Sequence, residues 1–142
     1  MNELGMDIKH PKRRGEWAEL RFMACAAENG LRVTKPWGDC SSYDFAVEHN
    51  GHFLRVQVKS TQHTKHGGYS CTVRTGKSVY LGDPFDWLAA FVIPKNLWYI
   101  IPAKLVVGRI CILLYPDRQD SRYTQYLEAW KLLKSDNSAT PQ

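Results

Sequence analysis

Tyr43-Asp44-Phe45-Ala46-Val47-Glu48-His49-Asn50-Gly51-His52-Phe53-Leu54-Arg55-Val56-Gln57-Val58-Lys59 is the stretch whose reading decides the fold. Two segments of alternating residues flank Asn50-Gly51. Asn-Gly suits a two-residue hairpin turn because both positions need positive φ, and such a turn joins neighbouring antiparallel strands. With Asn50 and Gly51 as the whole loop, His49 faces His52, and counting back sets Asp44 opposite Gln57. Directly opposed residues project to one face with Cβ atoms about 5 Å apart. Lys59 lies two residues past Gln57, so it shares that face, diagonal to Asp44. Tyr43, Phe45, Val47, Leu54, Val56 and Val58 then make an apolar opposite face. A one-residue slip would separate the three polar groups.

Outward from this hairpin, residues 43–49 and 52–60 read as strands. Upstream, residues 15–29 read as a helix, with Gly30 at the position where a helix-ending glycine belongs. At helical spacing, Trp17, Leu20, Met23, Ala24 and Ala27 fall on one side, and Arg21, Cys25, Glu28 and Asn29 on the other. Glu16 and Glu19 land within or beside the apolar arc, where a carboxylate needs a partner or serves only to favour the helix N-terminus. Residues 31–35 read as a short strand, 36–42 as a loop and 62–68 as a polar loop. Further strands are expected at 69–74, 89–93, 97–101 and 110–115, with a short helical turn after Pro102. Residues 121–134 read as a last helix, with Tyr123, Tyr126, Leu127, Trp130 and Leu133 at helical spacing. The basic segment 1–13 reads as flexible and 135–142 as a frayed tail, around a single domain. Helix, run of strands, helix argues a mixed α/β (α+β) domain with a central sheet flanked by helices.

Composition agrees with one packed domain. The 142 residues are 44% hydrophobic and 23% charged. A net charge of +5 and a pI near 9.1 suit a polyanionic partner. The longest apolar runs, 87–94 and 97–102, are split by Pro94-Lys95-Asn96 and read as strands, so no membrane span is expected. Cys25, Cys40, Cys71 and Cys111 are scattered without a CxxC pair or an apolar leader, which points to free thiols in a reducing cytoplasm.

The face carrying Asp44, Gln57 and Lys59 has the chemistry of phosphodiester hydrolysis. That reaction needs a hard divalent cation on oxygen ligands and a positive charge near the developing phosphorane. Asp44 supplies a carboxylate, Gln57 an amide oxygen, the Val58 carbonyl a third oxygen and Lys59 an ammonium. A helix acid, Glu19 or Glu16, completes the set if the first helix packs on this face. The plainer reading is an exposed Asp–Lys pair on an ordinary hairpin. His49, His52 and His63-Thr64-Lys65-His66 are weighed as a zinc site, but they lack the accompanying glutamate and read as solvated loop residues. His49-Asn50-Gly51-His52 is faintly similar to an HNH nuclease motif but lacks the ββα-metal spacing.

Gly15-Glu16-Trp17-Ala18-Glu19, then Tyr43-Asp44, then Gln57-Val58-Lys59-Ser60-Thr61, resembles the PD-(D/E)xK nuclease superfamily. It is most similar to the compact branch of Holliday-junction resolvases and certain intron-encoded homing endonucleases. Asp86-Trp87-Leu88-Ala89-Ala90 and Trp98-Tyr99-Ile100-Ile101-Pro102 resemble later strands of that branch, so the likeness runs from about residue 12 to 134. The resemblance implies a restriction-endonuclease-like αβββαβ core and Mg²⁺-dependent cleavage of DNA, with Mn²⁺ as a substitute, by a homodimer. It implies that Asp44, Gln57, Val58 and Glu19 hold the metal, with Glu16 as a further acid, and that Lys59 acts on the water or the transition state. Tyr43 stands where the family has proline, and Gln57 where it has a carboxylate, although the homing-endonuclease subgroup also carries glutamine there. Arg14, Arg55, Ser60, Lys65, Arg74 and Lys77 are the candidate DNA contacts, or else ordinary surface residues. The alternatives are a catalytically inactive DNA-binding module of the same fold and a partner-binding protein without nucleic-acid activity.

Overall fold

The computed structural model describes residues 4–38, 41–75 and 78–134. One helix, α1 (Pro11–Glu28), precedes eight strands: β1 (Arg32–Thr34), β2 (Phe45–His49), β3 (His52–Thr61), β4 (Thr64–Lys65), β5 (Gly68–Thr72), β6 (Trp87–Val92), β7 (Leu97–Pro102) and β8 (Cys111–Leu114). The main sheet has the order β1-β2-β3-β6-β7 and is mixed: β3 and β6 run parallel, the other neighbours antiparallel. A second sheet, β4-β5-β8, is wholly antiparallel. The result is a mixed α+β fold of the restriction-endonuclease-like class. Among the described residues no helix is long and apolar enough to cross a membrane.

The β2–β3 register is the expected one, with His49 opposite His52 and Phe45 opposite Val56. Asn50 and Gly51 both have positive φ, 52° and 84°. The apolar face of the hairpin, with Phe45, Val47, Val56 and Val58, receives α1 through Ala18, Phe22 and Ala26. Phe22 stacks on Phe45 at 5.4 Å and meets Trp98 edge-on at 5.7 Å. The other face of the main sheet packs Leu88, Ala90, Val92, Tyr99 and Ile101 against Cys71, Ile112 and Leu114 of the second sheet. That face is covered by strands and loops, where helices on both sides were expected.

Three local expectations change. First, α1 begins at Pro11, so residues 11–13 are helical. Proline at the first position suits a helix start, and the His10 Nδ1 accepts the Lys12 N–H at 3.2 Å as a cap. Second, the buried face of α1 is rotated from the expected one: Ala18, Phe22 and Ala26 are buried and Leu20 is 60% exposed. Third, residues 121–134 contain two short 3-10 turns, 124–126 and 130–133, in place of an α-helix. Glu128 has φ of 50°, a left-handed conformation that interrupts a helix. Its backbone N–H donates to the Trp98 carbonyl at 2.7 Å, and its carboxylate accepts from Trp98 N at 2.7 Å and Trp130 Nε1 at 2.8 Å. The segment thereby wraps the β7 edge: Tyr123 joins the core on one face, Trp130 and Leu133 the core on the other. A straight helix serves only one face. The polar loop 62–68 also holds an unforeseen tight hairpin, with His66 and Gly67 at positive φ between β4 and β5.

Glu128→Ala removes both carboxylate hydrogen bonds and is expected to cost about 2 kcal/mol, the scale of bonds to charged groups. Glu128→Gln is expected to recover most of that loss. Urea denaturation of the two variants measures it, and equal stability of Ala and wild type would show that this anchor does not hold the segment.

Candidate active site

Asp44 sits just before β2, at the end of its ladder with β3. Its N–H donates to the Val56 carbonyl at 2.9 Å, and its Oδ2 accepts the Val58 N–H at 2.8 Å. In a strand, the N–H and C=O of one residue point the same way, so the Val58 carbonyl also points to this side, beyond the start of β2. Asp44, Gln57 and Lys59 line one cavity of about 590 Å³, together with Ser41, Ser42, Thr75, Tyr80 and Leu81. The register therefore brings the three expected side chains to one place. The Lys59 ammonium is not ion-paired with Asp44 among the described residues. It donates to the Arg74 carbonyl at 3.1 Å and lies 5.6 Å from the centre of the Tyr80 ring.

Burial dominates the electrostatics. It pushes the Asp44 carboxyl up; the Val58 N–H opposes this, Glu19 adds to it, and Lys35 and Lys59 counter it. Burial lowers Lys59, against the pull of Asp44 and Cys71. Tyr80 is raised by burial and by Asp44, with a Thr75 hydrogen bond working the other way.

The remaining expected residues scatter. α1 packs on the opposite face, so Glu19 does not line the Asp44 cavity. It pairs with Lys35 at 3.1 Å, near enough for its charge to act on Asp44. Glu16 is exposed and lines other cavities beside α1. Arg55 is not a free groove residue: its guanidinium bonds Asp86 at 3.1 and 3.2 Å and Asp83 at 2.8 Å. The Asp86 bonds are the main reason that Arg55 is raised, and against the upward push of burial they hold Asp86 low. Arg74 contributes its carbonyl to Lys59. Lys65 is exposed on β4. Arg14 and Ser60 line a common cavity elsewhere. Lys77 lies outside the described residues, as do Cys40 and the tail 135–142; Cys25, Cys71 and Cys111 are free thiols. Tyr80, Thr75 and Lys35 were not foreseen, because no local pattern marks residues that reach the site through the crossover loop or a strand end.

Among the described residues no group of three or more His, Cys, Asp or Glu side chains is placed to hold a metal. The donors at Asp44 are of a different kind: one carboxylate, one amide oxygen and one backbone carbonyl. All are hard oxygens, which suits a magnesium-like cation and not zinc.

The family described as PD-(D/E)XK endonuclease matches residues 9–133. The fold is similar to that of the bacterial homing endonuclease I-Ssp6803I, with a TM-score of 0.75 and 30% sequence identity, over 88% of this chain and 93% of that one. No curated protein sequence matches significantly.

The shifts have a stability consequence without metal. Asp44 titrates above its unfolded value, so its contribution favours folding at low pH and is lost as pH rises through the folded value. Lys59 titrates below its unfolded value, so the penalty for its buried ammonium is present near neutrality and is relieved as pH rises toward the ordinary lysine range. Asp44→Asn and Lys59→Met are each expected to raise Tm near neutral pH. The first gain fades toward acid and the second toward alkali. Thermal melts across pH in a chelator check this; a fall in Tm for both would show that the two charges stabilise the fold.

Proposed function

Because the chain belongs to the PD-(D/E)XK endonuclease family, we propose that it is a metal-dependent DNA endonuclease whose chemistry lies at Asp44, Gln57 and Lys59. The observation that supports this reading is the convergence of hard oxygen donors and one half-buried ammonium on a single cavity. Asp44, Gln57 and the Val58 carbonyl are the residues that would hold Mg²⁺, with Mn²⁺ as a substitute. Glu19 would join them by leaving Lys35. Bound there, the cation would supply electrophilic stabilisation of the phosphoryl oxygens. Lys59 keeps its ammonium on the same side and stabilises the charge that develops on the phosphate. The Arg74 carbonyl and the Tyr80 ring hold that ammonium, so Asp44 is left without an ion pair to it and is available to a cation. DNA as the substrate and a homodimer with one site for each strand belong to the same proposal. The basic net charge supports the first of these.

A second reading, a DNA-binding module that has lost catalysis, is favoured by two observations: Gln57 replaces an acid, and Glu19 is committed to Lys35. Nicking of supercoiled plasmid in Mg²⁺ or Mn²⁺ separates the two. Under the nuclease reading, Asp44→Ala abolishes nicking, Lys59→Ala lowers it by about 10²–10³-fold, and a chelator stops it. Gln57→Glu adds a ligand charge and is expected to lower the Mg²⁺ concentration needed for half-maximal nicking. Nicking that survives both Asp44→Ala and Lys59→Ala would overturn the site, and DNA binding without nicking in any metal would favour the module.

A further inference from the structure

A second cavity, of about 770 Å³, lies between the start of α1, the end of β3 and β5. Arg14, Ser60, His63, Ser70 and Thr72 line it, and among the described residues no carboxylate does. Its walls are fixed: the Thr61 hydroxyl donates to the Ser70 carbonyl and accepts the His63 N–H. Arg14 is anchored through Nη2 to the carbonyls of Ile8 and Lys9 at 3.3 and 3.2 Å, while its Nε is buried with no partner. The side chains of Ser60, His63 and Ser70 have no hydrogen-bond partner among the described residues. Arg14 thus brings a fixed positive charge to a cavity whose described lining holds no acid, and phosphate is the anion that guanidinium geometry suits best.

The place of this cavity relative to Asp44 gives it a role. β2 begins opposite Val56, so β3 from Val58 onward has no ladder partner on that side among the described residues. Along this open edge Lys59 turns to one face of the sheet and Ser60 to the other. Lys59 lines the Asp44 cavity and Ser60 the second one, so the two cavities adjoin neighbouring residues of the same edge.

We propose that this cavity is a second phosphate subsite, which holds a backbone phosphate of the DNA strand beside the one being cut. The proposal rests on the nuclease reading for its ligand and on the acid-free lining for its chemistry. Thr72 is exposed, so Thr72→Glu places a carboxylate at the cavity with little risk to folding; Arg14→Gln removes the guanidinium. Binding of a fluorescent duplex in a chelator, measured across salt concentration, is expected to lose about one unit of salt slope in each variant. In plasmid nicking, KM is expected to rise more than kcat falls. Unchanged salt slope and KM in both variants, with an active wild type, would overturn the subsite. So would a fall in kcat alone, which would place Arg14 in the chemistry. If the wild type neither binds nor cuts DNA, the nuclease reading fails separately. Inorganic phosphate followed by NMR at His63 then decides the anion site: a shift lost in Thr72→Glu supports it, and no shift overturns it.

Discussion

The two-residue turn at Asn50-Gly51 sets the register of β2 against β3, and the geometry of the site follows from that register. Strand side chains alternate, so the register decides which residues meet Phe22 and which meet the cavity. In the observed pairing Phe45, Val47, Val56 and Val58 enter the α1 core, and Asp44, Gln57 and Lys59 face away from it. A slip of one residue would drive a carboxylate and an ammonium into a core of stacked aromatic rings. The cost of burying such charges makes the register robust. The apolar core thus enforces the polar site from the far side of the same strand.

The site itself is held under electrostatic tension. Asp44 and Lys59 are each displaced by burial away from their charged forms. A direct ion pair would relieve both, yet the ammonium turns instead to the Arg74 carbonyl and the Tyr80 ring. Among the described residues that arrangement leaves the carboxylate with one backbone donor, the Val58 N–H on Oδ2. Glu19 and Lys35, paired nearby, bring one charge of each sign and so little net field. Under the proposed function, the Asp44 carboxylate is the position that a divalent cation would neutralise. Shifted, half-buried charges of this kind cluster at functional sites.

How much of this was legible in the sequence follows from the range of each interaction. The hairpin, its register and the convergence of three polar side chains are local, and period two with Asn-Gly is enough to read them. The second hairpin at Ile93-Pro94-Lys95-Asn96 was readable for the same reason. The start of α1 was also local: His10 and Pro11 are a cap and a first-turn proline, masked by the surrounding basic residues. The C-terminal segment misled because its apolar spacing fits a helix, whereas Tyr123 and Trp130 belong to opposite faces of a sheet edge. The Glu128 turn that permits this has no signature apart from its contacts with Trp98. Parallel pairing of β3 with β6, the capture of Arg55 by Asp83 and Asp86, and the position of Glu19 all depend on tertiary packing. Spacing along the chain carries no information about them.

What turns this sheet into a site is the point at which one ladder stops. β2 begins at Phe45, while β3 continues to Thr61. Had β2 begun several residues earlier, a strand would cover the Val58 carbonyl and the Asp44 carboxylate would stand in a closed ladder. Because it stops, Asp44 folds back onto the Val58 N–H and leaves oxygen atoms at an open edge in the middle of a five-stranded sheet. Parallel β6 closes the other side of β3 with Leu88, Ala89 and Ala90, all fully buried. Access to the Val58 carbonyl is thus one-sided, and under the proposed function a polyanionic strand would approach along that edge. In that reading Gln57, an amide where a second carboxylate would raise the local negative charge, would keep an oxygen ligand while lowering repulsion toward phosphate.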